Sequence, residues 1–287
     1  MDILLHALAH ALEDGIPMLP FLFAAYWVIE YVEHRHSESI ERVLAGGGRL
    51  GFVPAALLGC FPQCGFSAMA ANFYGSKVIT LGTLLAVFLT TSDEAIPLMI
   101  AEPGSWDSLL ALMGVKLAVA LAVGFCVDFP LRRWIPASVR GGYSGRSADV
   151  DCHEHEESDG ILLAAVKHTV HIFLYIIAFG FALNLVVELV GEDAIGALLA
   201  QAGPVQPFLA GLIGLVPNCV ASVLITQLFV GGQLSFAGAV AGLCTSAGVG
   251  LAVLFRVNKS LKQNLFIVAL LYAVGVCAGL VCGLFAG

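Results

Sequence analysis

Two short stretches decide how this chain is read: Gly59-Cys60-Phe61-Pro62-Gln63-Cys64-Gly65 and Gly214-Leu215-Val216-Pro217-Asn218-Cys219. Each interrupts an apolar segment near its middle, the first within residues 50–74 and the second within 205–230. Proline removes a backbone donor and glycine loosens the backbone, so a helix does not run smoothly through either. Each segment then divides into arms of about 12 residues, whereas a helix needs about 20 to cross the hydrocarbon core. The spacing predicts two re-entrant helical hairpins, each returning to the face it came from.

Around them lie six further apolar segments, at residues 16–33, 78–100, 107–129, 161–190, 234–255 and 263–285. Of the 287 residues, 59% are hydrophobic and 12% charged, against about 25% charged in an average soluble domain. With a mean hydropathy of +0.92, this excludes a soluble domain and predicts an all-α polytopic membrane protein. A formal net charge of −8 and the absence of a basic stripe exclude nucleic acid as a partner. Five of the eight cysteines (Cys60, Cys126, Cys244, Cys277, Cys282) lie in apolar stretches, where a free thiol behaves as a small hydrophobe, so no disulfide framework is expected. No basic region followed by an apolar stretch and a cleavage site opens the chain, and no removable signal peptide is predicted. Residues 1–13 read as a short amphipathic helix with His6, His10 and Glu13 on one face.

The basic residues choose between topologies. If all eight segments crossed fully, Arg35, Arg42 and Arg49 would face Arg132, Arg133, Arg140 and Arg146 across the membrane, against the tendency of Lys and Arg to stay cytoplasmic. With two hairpins, those seven join Lys77, Lys167, Arg256, Lys259 and Lys262 on one side. Only Lys116, inside a span, is left over. Both termini are then non-cytoplasmic, in a multi-pass protein of the cell's inner (plasma) membrane.

A shift of about 155 residues superposes Gly59, Pro62, Gln63, Cys64 and Ser67 on Gly214, Pro217, Asn218, Cys219 and Ser222, and brings Thr90-Thr91-Ser92 within a residue of Thr245-Ser246. Three spans plus one hairpin make an odd number of crossings, so a second copy is inserted upside down. The domains expected are a first inverted repeat at 1–131, a cytoplasmic acidic His-bearing linker at 132–160, and a second inverted repeat at 161–287. Inverted repeats with broken helices at the midplane characterise secondary transporters.

Irregular backbone deep in a bilayer survives only where protein or a water-filled cavity satisfies it. The two tips should therefore meet near the centre and form a substrate site from Cys60, Pro62, Gln63, Cys64, Asn218 and Cys219. The plainer alternative is that Pro and Gly merely bend helices around filler thiols. The third segment adds Thr91, Ser92, Asp93 and Glu94, and its counterpart adds Ser246 without the acids. An intramembrane carboxylate costs about 3 kcal/mol even on insertion scales, which marks Asp93 and Glu94 as functional. Lys116 lies at a similar depth, so an ion pair with either acid is geometrically open; it serves either helix packing or a cation or proton site. The eight histidines lie outside the deep core: His6, His10, His34, His36, His153, His155, His168 and His171. His153 and His155, in the linker, are candidate metal collectors with Cys64, Asp93, Glu94 and Cys219 as ligands along the pathway; a solvated linker with chance histidines is the alternative. Glu33 and Glu188 occupy equivalent positions near the membrane surface.

These motifs, with Pro97, Gly231-Gly232 and Ser246-Ala247-Gly248-Val249-Gly250, resemble the ten-span heavy-metal exporters, also described as manganese or arsenic-efflux-like transporters and distantly similar to the ArsP organoarsenical permeases. The resemblance covers nearly the whole chain. It implies metal or metalloid efflux, with the two Pro-Cys tips and the Asp-Glu segment as working parts; ten spans result if the hairpin arms are counted separately. Leu215 stands where the first tip has Cys60, so a symmetric thiolate cage is not expected.

The function expected is secondary transport, exporting a divalent metal ion or metalloid in exchange for protons or sodium. The alternative is an organic solute or anion carrier that uses hairpin amides, helix N-termini and Lys116. No G-x-x-x-x-G-K-[ST] sequence for ATP binding occurs. An intramembrane enzyme is disfavoured, because no histidine lies at membrane depth to activate a thiol. No cofactor is expected beyond the transported and coupling ions. The expected partners are the bilayer and a small inorganic ion or small molecule, and a homodimer is compatible with them.

Overall fold

A computed structural model describes residues 50–61, 64–92, 95–102, 104–142 and 202–286, with isolated positions between 12 and 27 and between 162 and 181. The first and fifth segments and the linker are therefore largely or wholly outside the described residues. Ten α-helices lie within them: α1 (Phe52–Gly59), α2 (Cys64–Gly75), α3 (Leu81–Thr90), α4 (Ala95–Ala101), α5 (Trp106–Asp128), α6 (Gln206–Gly214), α7 (Cys219–Val230), α8 (Phe236–Thr245), α9 (Val249–Val257) and α10 (Leu261–Ala286). Among the described residues there is no strand, only a bridge between Thr80 and Gly141. Trp106–Asp128, Phe236–Val257 and Leu261–Leu284 are long and apolar enough to cross a bilayer, as a helical membrane protein requires.

Each glycine–proline stretch ends one helix and starts another. A methyl on Gly51 would lie 3.0 Å from the Thr83 hydroxyl, and one on Gly59 would overlap the Thr90 hydroxyl. α1 therefore runs alongside α3 in the same direction, from its N-terminal end to its C-terminal end. α2 then runs back, because the turn after it leads directly to Thr80, the N-cap of α3. The second half repeats this course. Gln206, at the start of α6, bonds the backbone at both sides of the turn before α8, donating to Gln233 O (3.1 Å) and accepting from Ser235 N–H (3.0 Å). At the other end of α6, Gly214 lies against Gly242 and Thr245 of α8.

α9 runs alongside α2 in the same direction. A methyl on Gly250 would meet Ser67, and one on Gly75 would meet Val257, so α9 leaves the middle of the molecule beside α2 and ends where α2 ends. That end holds Lys77, Arg132, Arg133, Arg140, Arg256, Lys259 and Lys262 on its turns and helix ends. Glu102 and Asp107 lie at the other end, where α4 passes to α5.

An offset of 155 residues, the distance from Gly59 to Gly214, carries α2 to α7 and α3 to α8 with matching bounds, carries α1 to α6 with the start one residue apart, and starts α5 and α10 together. The packing recurs as well. α3 lies between α1 and α5 as α8 lies between α6 and α10, while α2 packs on α9 as α7 packs on α4. The inward stripe of α5 (Leu109, Leu112, Lys116, Ala120, Gly124) corresponds to that of α10 (Asn264, Ile267, Leu271, Gly275, Gly279). Thr80 caps α3 by accepting from Thr83 N–H, and Ser235 caps α8 by accepting from Gly238 N–H, both at 3.2 Å. These hydroxyl caps satisfy a helix donor that would otherwise be orphaned.

The first half also has an acid at this cap. Asp128, 2% exposed at the end of α5, accepts from the Thr80 hydroxyl (2.6 Å) and from Gly82 N–H (3.2 Å). Its carboxylate thus holds α5 to the positive N-terminal end of α3. Asp128→Ala is expected to lower stability by about 2 kcal/mol, the usual range for losing charge-assisted bonds to buried donors; thermal unfolding in detergent micelles measures it.

Candidate functional site

The third and seventh segments, read from the sequence as uninterrupted spans, are each broken. α3 stops at Thr90, and Thr91 and Ser92 are non-helical. α8 stops at Thr245, and Ser246, Ala247 and Gly248 separate it from α9. Gly248 holds φ 53° and ψ −144°, a conformation open to glycine and strained for other residues. Gly248→Ala should therefore cost about 2 kcal/mol, read as a lower unfolding temperature, and should realign α9 against α2.

The hydroxyls beside each break fold back on their own helices. Thr90 Oγ1 donates to Ala86 O (2.8 Å) and reaches Val87 O (3.2 Å), while Thr91 Oγ1 donates to Val87 O (2.8 Å). Thr245 Oγ1 lies 2.8 Å from Gly211 O, 2.9 Å from Gly242 O and 3.2 Å from Ala241 O. Thr245 therefore joins α8 to α6 at the hairpin tip. The close approach of Gly59 to Thr90 and of Gly214 to Thr245 places each tip beside the break of its own half.

Lys116 joins the two breaks. Its side chain is fully buried, and Nζ donates to Thr91 O (2.5 Å) and Ser92 Oγ (2.7 Å) in the first half and to Leu243 O (2.7 Å) in the second. Cys60 is half-buried, and its thiol donates to Ala56 O one turn back (3.3 Å). In the tips, the breaks and the first turns of α2 and α7, Ser67, Thr91, Ser92, Asn218, Ser222, Thr245 and Ser246 are all buried.

Of the residues expected to form the site, Thr91, Ser92 and Lys116 meet directly, while Ser246, Cys60 and Asn218 belong to the adjoining break and tips. Pro62, Gln63, Asp93, Glu94, His153 and His155 lie outside the described residues, as do the side chains of Cys64 and Cys219. Among the described residues, no group of three or more His, Cys, Asp or Glu is placed to hold a metal ion. Sequence reasoning missed the backbone carbonyls that bind Lys116 and the buried Asp128. Carbonyls carry no signature in a sequence, and Asp128 reads there as the flank of a span.

Comparison with known protein families, curated proteins and solved structures finds no match for the chain.

Proposed function

We propose that the protein is a secondary transporter of the inner or plasma membrane, built as two inverted repeats, and that it exports a divalent metal ion or metalloid. The observation that carries the transport reading is the central crossing, where one buried lysine binds beside the break in each half. A rigid structural protein has no use for four interrupted segments converging at mid-depth. A carrier needs that arrangement, because a site between two halves can be opened to either side by moving one half against the other.

The orientation follows from charge. The end bearing Lys77, Arg132, Arg133, Arg140, Arg256, Lys259 and Lys262 is cytoplasmic under the positive-inside tendency. The first hairpin is then re-entrant from the cytoplasm and the second from outside, with both chain termini outside. Cys60, Cys64, Gln63, Asn218 and Cys219 are the proposed tip ligands, and Asp93 and Glu94, which follow Ser92, are the proposed charge for a cation. The sequence resemblance to heavy-metal exporters favours this cargo.

One observation favours a second reading, transport of an organic solute or anion. The buried ammonium of Lys116 is a fixed positive charge beside both breaks, a counter-charge for an anion. Uptake by proteoliposomes decides between them: Mn²⁺, Zn²⁺, Cd²⁺ and arsenite for the first, small carboxylates and oxyanions for the second. Movement of none of these under a proton or sodium gradient would end the transport reading.

A further inference from the structure

The oxygens around Lys116 form a site whose origin lies in the helix breaks rather than in the lysine. In an unbroken α8, Leu243 O would accept from Ala247 N–H. Here Ala247 N–H turns to Thr245 O (3.0 Å), while Ser246 N–H stays on Gly242 O (3.1 Å), so Leu243 O is released. Thr91 is the C-cap of α3, and its carbonyl lies beyond the last helical turn. The C-terminal end of a helix carries partial negative charge. Two such ends, from helices running in opposite directions, are thus brought to one buried point.

Three hard oxygens, two carbonyls and a hydroxyl, surround that point at 2.5–2.7 Å. Carbonyl oxygens of interrupted helices are the ligands that hold alkali cations inside membrane carriers. The lysine arrives from one side only: its counterpart in the second half is the fully buried Leu271.

We propose that this point is a monovalent-cation site shared by the two halves, filled here by the tethered ammonium of Lys116 in place of an exchangeable Na⁺ or K⁺. The chain supplies its own cation, which neutralises the facing helix ends and ties the halves together. As the coupling cation of a transport cycle Lys116 depends on the transport reading above; as occupant of a cation site it does not.

Removing the side chain should reopen the site. Purified full-length protein and its Lys116→Ala and Lys116→Met variants are compared by thermal unfolding in NaCl, KCl or N-methyl-D-glucamine chloride at equal ionic strength. Lys116→Ala should gain about 5 °C, saturably, in Na⁺ or K⁺ over N-methyl-D-glucamine, the effect of a ligand bound well above its Kd. Wild type, with the site filled, should not respond, and neither should Lys116→Met, whose side chain fills the same volume. A Lys116→Ala protein indifferent to the cation, or a wild type that responds equally, overturns the proposal. If Lys116→Ala is not recovered folded in N-methyl-D-glucamine, extraction in Na⁺, K⁺ or methylammonium reads the same property: recovery in any of these supports the site, and recovery in none overturns it. A cation response in a protein that moves no solute would keep the site and remove only the coupling role.

Discussion

Gly214→Ala is expected to leave little folded protein, with a loss of about 3 kcal/mol or more, at the upper end of the usual cost of overpacking. A methyl there would overlap the backbone carbonyl of Gly242 as well as the Thr245 hydroxyl. A backbone atom cannot rotate away, so α6 and α8 would have to separate. The counterpart, Gly59→Ala, meets first the Thr90 hydroxyl, with Val87 O at 2.9 Å behind it. Its loss should be smaller, about 2 kcal/mol, and trimming Thr90 should recover part of it. The Gly59→Ala/Thr90→Ala pair should thus show coupling that Gly214→Ala/Thr245→Ala lacks. Thermal unfolding of the four variants with their single Thr controls provides the comparison, and equal rescue in both halves would contradict the geometry.

Lys116→Met has the second large effect, on stability and on substrate choice together. It removes the donor from Thr91 O, Ser92 Oγ and Leu243 O, all buried where water does not readily replace it. Buried groups left without partners cost about 1–3 kcal/mol each. Because relaxation recovers part of this, a net loss of about 2–4 kcal/mol is expected. In binding measurements on the folded fraction, a cation cargo should be retained or bind more tightly once the internal positive charge is gone. An anionic cargo should lose its counter-charge and its binding. Unchanged stability would show that the lysine does not hold the halves together.

The contrast between the hairpins and the central breaks shows which features a sequence carries. Pro62 and Pro217 cannot donate to a helix ladder, so the hairpin tips are visible from residue type alone. The breaks at Thr91-Ser92 and at Ser246 to Gly248 contain no proline. Thr, Ser and Ala are all tolerated in helices, and Gly248 is the one residue of the second break whose type favours an interruption. The 155-residue offset was legible as a weak identity of a few residues; in the structure it extends to helix bounds, caps and contacts. Sequence depth placed Lys116 level with Asp93 and Glu94, which lie outside the described residues; the structure gives it the preceding Thr91 and Ser92 as partners. Its bond to Leu243 O depends on how α8 ends, a property of tertiary structure.

In the proposed arrangement two hairpins enter a membrane from opposite faces, each beside a break that Lys116 joins to the other. Its most direct measurement uses single cysteines at the turns that follow the hairpins, Lys77→Cys and Gln233→Cys, in a background with the eight native cysteines replaced. A membrane-impermeant maleimide is applied to intact cells and to inverted vesicles. Position 77 is expected to be labelled only from the cytoplasmic face and position 233 only from the outer face. Labelling of both positions from the same face would contradict it.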